Sequence, residues 1–126
     1  MRRDEFRGYF GEFIAIILLW CKGYRILKHR YKWSGGEIDI IAKRGNKISF
    51  VEVKTRKSEE KCQIAVTSRQ LNRILRTSQL FLKRNQKYLN HDLSYDVISV
   101  ARNILRMCRF KRIDVISEYY FSPTIA

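Results

Sequence analysis

Hydrophobic and polar positions recur along this chain with two periods. From Asp4 to about Cys21, Phe6, Phe10, Phe13, Ile14, Ile17 and Leu18 fall at helical spacing and predict a first helix with that face inward. Asp4 and Glu5 suit the positive end of its dipole, and Gly23 closes it. Tyr24 to about Lys32 reads as an extended segment, Ser34-Gly35-Gly36 as a turn, and two runs of period two then flank Gly45-Asn46. A second helix is predicted from Thr67 or Ser68 to about Asn85. Leu71, Ile74, Leu75, Ser78 and Leu82 point inward in it, and Arg69, Arg73, Arg76, Lys83 and Arg84 outward. Leu93 to Ala101 and Ile104 to Phe110 read as further strands. This order predicts one α/β domain over residues 1–126, a sheet with a helix on each face.

The turn fixes a register. With Gly45-Asn46 as a two-residue hairpin loop, Arg44 pairs with Lys47, Asp39 lies opposite Glu52, and Glu37 lies opposite Lys54. All four side chains then emerge on one face, while Ile38, Ile40, Val51 and Val53 occupy the other. Farther along, the charged face itself turns apolar at Ile41, Ile48 and Phe50, so both faces are expected to be buried. Two carboxylates facing each other there repel, and desolvation adds to the cost. A hard divalent cation between them removes the conflict. Mg²⁺ does so while keeping waters that can serve as nucleophiles. Lys54 would stand beside that ion, orienting the attacking water or stabilising charge at phosphorus; the plainer role is a salt bridge to Glu37 and Glu52.

Composition narrows the partner. Twenty-six Lys and Arg against twelve Asp and Glu give +14, which on a small domain points to a polyanion such as nucleic acid, with an anionic membrane surface as the competing reading. Between Lys54 and Tyr88 the bases outnumber the acids ten to two, so the second helix is expected to contact phosphate. The longest apolar run, Phe13 to Cys21, is nine residues against the ~20 a membrane span needs, so integral membrane association is not expected. No small-residue cleavage site follows it. Cys21, Cys62 and Cys108, far apart and odd in number, read as reduced and mostly buried, which favours the cytoplasm. With His29 and His91 isolated, no zinc cluster can be assembled from local spacing.

Gly11-Glu12, Gly23-Tyr24, Gly36-Glu37-Ile38-Asp39 and Phe50-Val51-Glu52-Val53-Lys54-Thr55-Arg56 closely resemble the YraN family, an uncharacterised bacterial group, over about residues 6 to 121. The resemblance implies a restriction-endonuclease-like fold, a central mixed β-sheet flanked by helices in the PD-(D/E)xK arrangement, with distant similarity to archaeal Holliday junction resolvases. It makes Asp39 the motif aspartate, Glu52 the second metal-ligand carboxylate and Lys54 the motif lysine. Glu12 becomes an additional helix acid, and Val53 is counted with the metal positions. Where relatives often carry an Asn ahead of the GEID block this chain has Arg30, and Gln70 stands where a Lys is frequent.

The expected activity is therefore a phosphodiesterase dependent on Mg²⁺ or Mn²⁺, acting on DNA of branched or otherwise non-standard form. Asp39, Glu52, Lys54 and Glu12 are its catalytic set, Arg56, Arg69, Arg73 and Arg76 its DNA contacts, and Glu37 and Gln70 further candidates. The alternative is a non-catalytic nucleic-acid-binding protein that retains the nuclease fold. Asp96 and Asp114 are expected to be structural, and Glu59 and Glu60 to lie in a solvated loop. Tyr119, Tyr120 and Phe121 are expected in the core or at a subunit contact, as in a homodimer, rather than as base-stacking platforms.

Overall fold

The computed structural model describes the backbone of residues 3–33, 35–56, 68–101 and 107–112, and the side chains of 9–33, 35–54, 69–98 and 100. Helix α1 (Arg3–Cys21) leads into strands β1 (Arg25–Trp33), β2 (Gly36–Arg44) and β3 (Lys47–Arg56). Helix α2 (Ser68–Arg84) and a short 3-10 turn (Gln86–Tyr88) precede β4 (Asp92–Ala101) and β5 (Met107–Arg112). The strands form one sheet in the order β1-β2-β3-β4-β5. Only the β3–β4 pairing is parallel, because α2 carries the chain across the sheet between them. This is the mixed α/β sheet of restriction-endonuclease-like domains, with a helix on each face.

Local chemistry explains the boundaries. Gly23, at φ 88°, ends α1 in the left-handed region; its N–H bonds to the Trp20 carbonyl and the Tyr24 N–H to that of Leu19, a Schellman closure. Gly45, at φ 58°, turns the hairpin, and the pairs from Arg44↔Lys47 to Ile40↔Val51 keep the expected register. The last strand lies a few residues beyond its expected start, at Met107–Arg112, and residues 102–106 are outside those described.

On the α2 side, Leu71, Ile74, Leu75, Phe81 and Leu82 pack against Ile38, Ile41, Ile48, Phe50 and Tyr95. The expected inward positions of α2 are buried, and Phe81, one turn before Asn85, joins them. On the α1 side, Ala15 and Leu19 meet Tyr24, Ile40, Ala42, Val51, Ile98 and Val100.

Three expectations need correction. The inward face of α1 is Gly11, Glu12, Ala15 and Leu19, whereas Phe10, Phe13 and Ile17 are exposed, Phe13 by 58%. A helix apolar almost all round from Phe13 to Cys21 has weak directional patterning; small residues permit close approach to the sheet, and the ion pairs of Glu12 turn that side inward. Ile38 packs toward α2 instead of sharing the face of Ile40, because the β2–β3 ladder stops at Ile40 and strict alternation is lost beyond it. Cys21 is exposed rather than buried, while the side chains of Cys62 and Cys108 are outside those described. No helix among the described residues is long and apolar enough to cross a membrane.

The start of β2 is held by a close approach. A Cβ on Gly36 would stand 2.1 Å from Thr77 Oγ1 and 3.0 Å from the Arg73 carbonyl of α2. Thr77 is buried and cannot swing away, so only glycine lets β2 and its acids lie against the helix. Gly36→Ala is expected to destabilise the protein by about 1–3 kcal/mol in urea titration. The loss should be smaller in a Thr77→Ala background; an equal loss in both would reject the contact as its cause.

Candidate functional site

Beyond Ile40 the backbone pairing of β2 with β3 gives way to a side chain. The Val53 N–H donates to Asp39 Oδ2 at 2.8 Å. That bond ties Asp39 to β3 and brings its carboxyl beside Glu52. Both line a cavity of ≈ 450 Å³ together with Glu37, Lys32 and Trp33 from the β1–β2 side and Gln70, Arg73 and Ile74 from α2. Asp39 and Glu52 thus share one face, as the register predicts. Lys54 Nζ lies 3.6 Å from Glu52 Oε1, both side chains being about four-fifths buried.

The electrostatics follow from this geometry. Burial, reinforced by the Glu52 charge, pushes the Asp39 carboxyl up to about 8, against the lowering effect of the Val53 N–H. Burial also raises Glu52, while the charge and hydrogen bond of Lys54, together with a hydrogen bond to Asp39, hold it down. Without a cation the two carboxyls relieve their repulsion by retaining a proton. Among the described residues no group of three or more His, Cys, Asp and Glu side chains is arranged to hold a metal. A pair of adjacent carboxylates nevertheless suits Mg²⁺, which takes one or two protein carboxylates and fills its remaining positions with water and substrate oxygens.

Glu12 is buried under α1, and its oxygens are engaged. Oε1 meets His29 Nε2 at 2.7 Å and accepts from Arg30 Nε at 2.9 Å; Oε2 accepts from Arg30 Nη2 at 2.9 Å. Arg30 adopts φ 57° and stacks its guanidinium 3.7 Å from the centroid of Tyr9. Glu12 does not line the acid cavity, although its charge contributes to the upward shift of Asp39. Of the expected contacts to DNA, Arg69, Arg73 and Arg76 line a neighbouring hollow of ≈ 520 Å³ with Gly35 and Asn72. Arg73 and Gly35 border both hollows, so the acid pocket opens onto an arginine-lined surface.

The Arg56 side chain is outside those described, as are Asp114, Tyr119, Tyr120, Phe121, Glu59 and Glu60. Asp96 is buried, accepting from the hydroxyls of Ser49 and Ser94, in keeping with a structural role. Sequence reasoning missed Lys32 and Trp33 as walls of the acid pocket and His29 as a partner of Glu12. The Trp beside a Gly-Gly turn was the available signal for Trp33, and it is a weak one.

A pH dependence follows. Asp39 binds its proton more tightly in the folded chain than the ordinary carboxylate value of 3.8 allows, so stability in metal-free buffer falls as pH rises from about 4 to about 8. Asp39→Asn removes that loss. Calorimetry should show the variant melting roughly 5 °C or more above the unmutated protein at pH 8, with the difference shrinking toward pH 4. A constant difference across that range would contradict the assignment.

The chain is 43% identical to a UPF0102 protein of Sinorhizobium medicae over 94 residues, 75% of this chain and 77% of that one. A UPF0102 protein of Rhizobium meliloti is likewise 43% identical over 95 residues, 75% of this chain and 78% of the relative, and one of Chelativorans sp. is 42% identical over 94, covering 75% and 76%. Residues 11–117 match the family described as Uncharacterised protein family UPF0102, a span that takes in Glu12, Asp39, Glu52 and Lys54. The chain belongs to this family, UPF0102, the YraN family whose sequence blocks it carries.

Proposed function

We propose that this protein is a metal-dependent phosphodiesterase acting on DNA, with Asp39 and Glu52 holding Mg²⁺ or Mn²⁺ and Lys54 serving the attacking water. The observation that carries the reading is a pair of largely buried carboxyls, one of them with Lys54 at 3.6 Å, lining a pocket that opens onto Arg69, Arg73 and Arg76. The ion, when bound, supplies charge stabilisation at the phosphoryl group and a water of lowered pKa. Asp39 is oriented for this by the Val53 N–H, and Glu52 by Lys54. Lys54, at 3.6 Å from Glu52, would hydrogen-bond a water or stabilise negative charge developing at phosphorus. Arg73 stands where a phosphate would enter, and Arg69 and Arg76 continue the positive surface for the neighbouring backbone.

One observation favours the alternative, a DNA-binding protein that does not turn over: Glu12 is committed to Arg30 and His29, which leaves Asp39 and Glu52 as the paired acids. The deciding assay incubates junction, flap, single-stranded and duplex DNA with the protein in Mg²⁺, Mn²⁺ or EDTA. Cleavage in metal that falls at least about 100-fold in Asp39→Asn, Glu52→Gln and Lys54→Ala supports the enzyme. Binding without cleavage supports the alternative, and equal cutting by wild type and variants indicates a contaminant.

The role of the arginines is tested separately. Replacing Arg69, Arg73 and Arg76 together by Ala should weaken DNA binding and flatten the slope of log K against log salt by up to about 3, near 0.9 for each phosphate that is no longer neutralised. An unchanged slope would reduce the three arginines to a solvated face.

A further inference from the structure

Trp33 is the aromatic wall of the acid pocket. It ends β1, where its backbone pairs with Gly36, the residue pressed against α2. The pairing and the close approach fix where the indole can stand. Within the core Phe50 stacks on Tyr95 and Phe81 on Tyr88, and Phe50 meets Phe81 edge to face. Trp33 takes no part in that cluster and is 37% exposed. The Arg84 guanidinium lies 4.4 Å from the centroid of its ring, so the indole is held in place without being buried.

An indole held by a cation at the edge of this ≈ 450 Å³ pocket has a specific use. Its exposed surface can stack on a nucleobase, while Lys32 and Arg73, in the same cavity, attract the phosphates on either side of that base. A base inside a duplex is already stacked on its neighbours and cannot present its face. A base in a flap, a frayed end or a splayed junction can.

We propose that Trp33, backed by Arg84, is a stacking subsite for one unpaired nucleobase, so that the DNA bound here carries a single-stranded nucleotide beside the phosphate at Asp39 and Glu52. The inference rests on the DNA-binding part of the proposed function and is independent of turnover. It separates two surfaces with different tasks: the arginines of α2 answer to phosphate whatever its structure, and Trp33 answers to whether a base is free.

The test is fluorescence anisotropy with two labelled ligands of equal phosphate number, a blunt duplex and a fork with unpaired arms, in Ca²⁺ as a hard cation with oxygen ligands. The unmutated protein should prefer the fork. Trp33→Ala should weaken fork binding by about tenfold and duplex binding by less than about twofold, and Trp33→Tyr should retain most of the preference. Trp33→Leu keeps apolar bulk without a stacking face; it should behave as Trp33→Ala, and melting curves of both establish that they are folded. Trp20→Phe leaves Trp33 as the sole tryptophan, whose emission the fork should quench and the duplex should not.

An equal loss on both ligands, or none on either, with the fold intact, would overturn the subsite while leaving DNA binding in place. Failure of the unmutated protein to bind either ligand would overturn the DNA reading and the subsite together. Trp33-dependent preference for the fork without any cleavage would sustain the subsite in a non-catalytic binder.

Discussion

At the end of the β2–β3 ladder a carboxylate, Asp39 Oδ2, accepts the Val53 N–H. Buried backbone donors must find an acceptor, and here the acceptor is an acid rather than a carbonyl of the neighbouring strand. The consequence reaches in both directions. β3 continues to its pairing with β4, which extends as far as Arg56↔Ala101, while β2 turns toward α2 and settles Gly36 against the Arg73 carbonyl. The acid pocket is the space between these two paths. Asp39 is costly where it stands, being desolvated and close to Glu52, and the Val53 N–H offsets part of that cost. The same residue therefore closes the sheet and opens the site.

The helices divide the work unequally. α2 supplies one wall of the pocket through Gln70, Arg73 and Ile74, and the same stretch turns Arg69, Arg73 and Arg76 to the neighbouring hollow. Among the described residues, α1 supplies no wall. It presses Glu12 onto β1, where Arg30 closes a two-pronged ion pair and His29 adds a third contact. Arg30 makes that reach from the left-handed region, which disfavours a residue with a side chain, so the strand is distorted to satisfy the buried acid. The distortion lies directly across from Asp39, between the ladder pairs His29↔Ile40 and Tyr31↔Ile38. Glu12 thus influences the pocket through its charge and through the shape of β1.

How much of this could be read beforehand depended on how local the determining physics is. The Gly45-Asn46 turn and period-two runs specified the hairpin, and its register put Asp39 and Glu52 on one face, because a two-residue loop leaves little freedom. The helical spacing of α2 revealed both its buried face and its arginines. In α1, by contrast, nine consecutive apolar residues carry almost no directional information, and the buried side was decided by Gly11, Ala15 and a long-range ion pair. Alternation puts Ile38 on the wrong face because it presumes an unbroken ladder, and nothing in the local sequence marks where the Asp39 side chain interrupts it. The position of Trp33 is not legible in the sequence for a related reason: it is set by Arg84, at the far end of α2, and by the approach of that helix to β2.

The charge distribution joins these observations. In a chain of net charge +14, Glu37, Asp39 and Glu52 line a single cavity, and positive side chains surround rather than neutralise it. Lys54 offsets Glu52 at 3.6 Å, yet Glu52 and Asp39 both remain shifted upward, so the acidic pair is not fully compensated by the protein's own cations. A structural salt-bridge network would place a base against each acid and leave both near their ordinary values. Here Arg73 sits at the boundary with the arginine-lined hollow instead. That arrangement leaves two largely buried carboxyls in one cavity, with Arg73 shared between it and the arginine-lined hollow. On the proposed reading, a cation between the carboxyls and a phosphate at Arg73 would each lower the cost of binding the other.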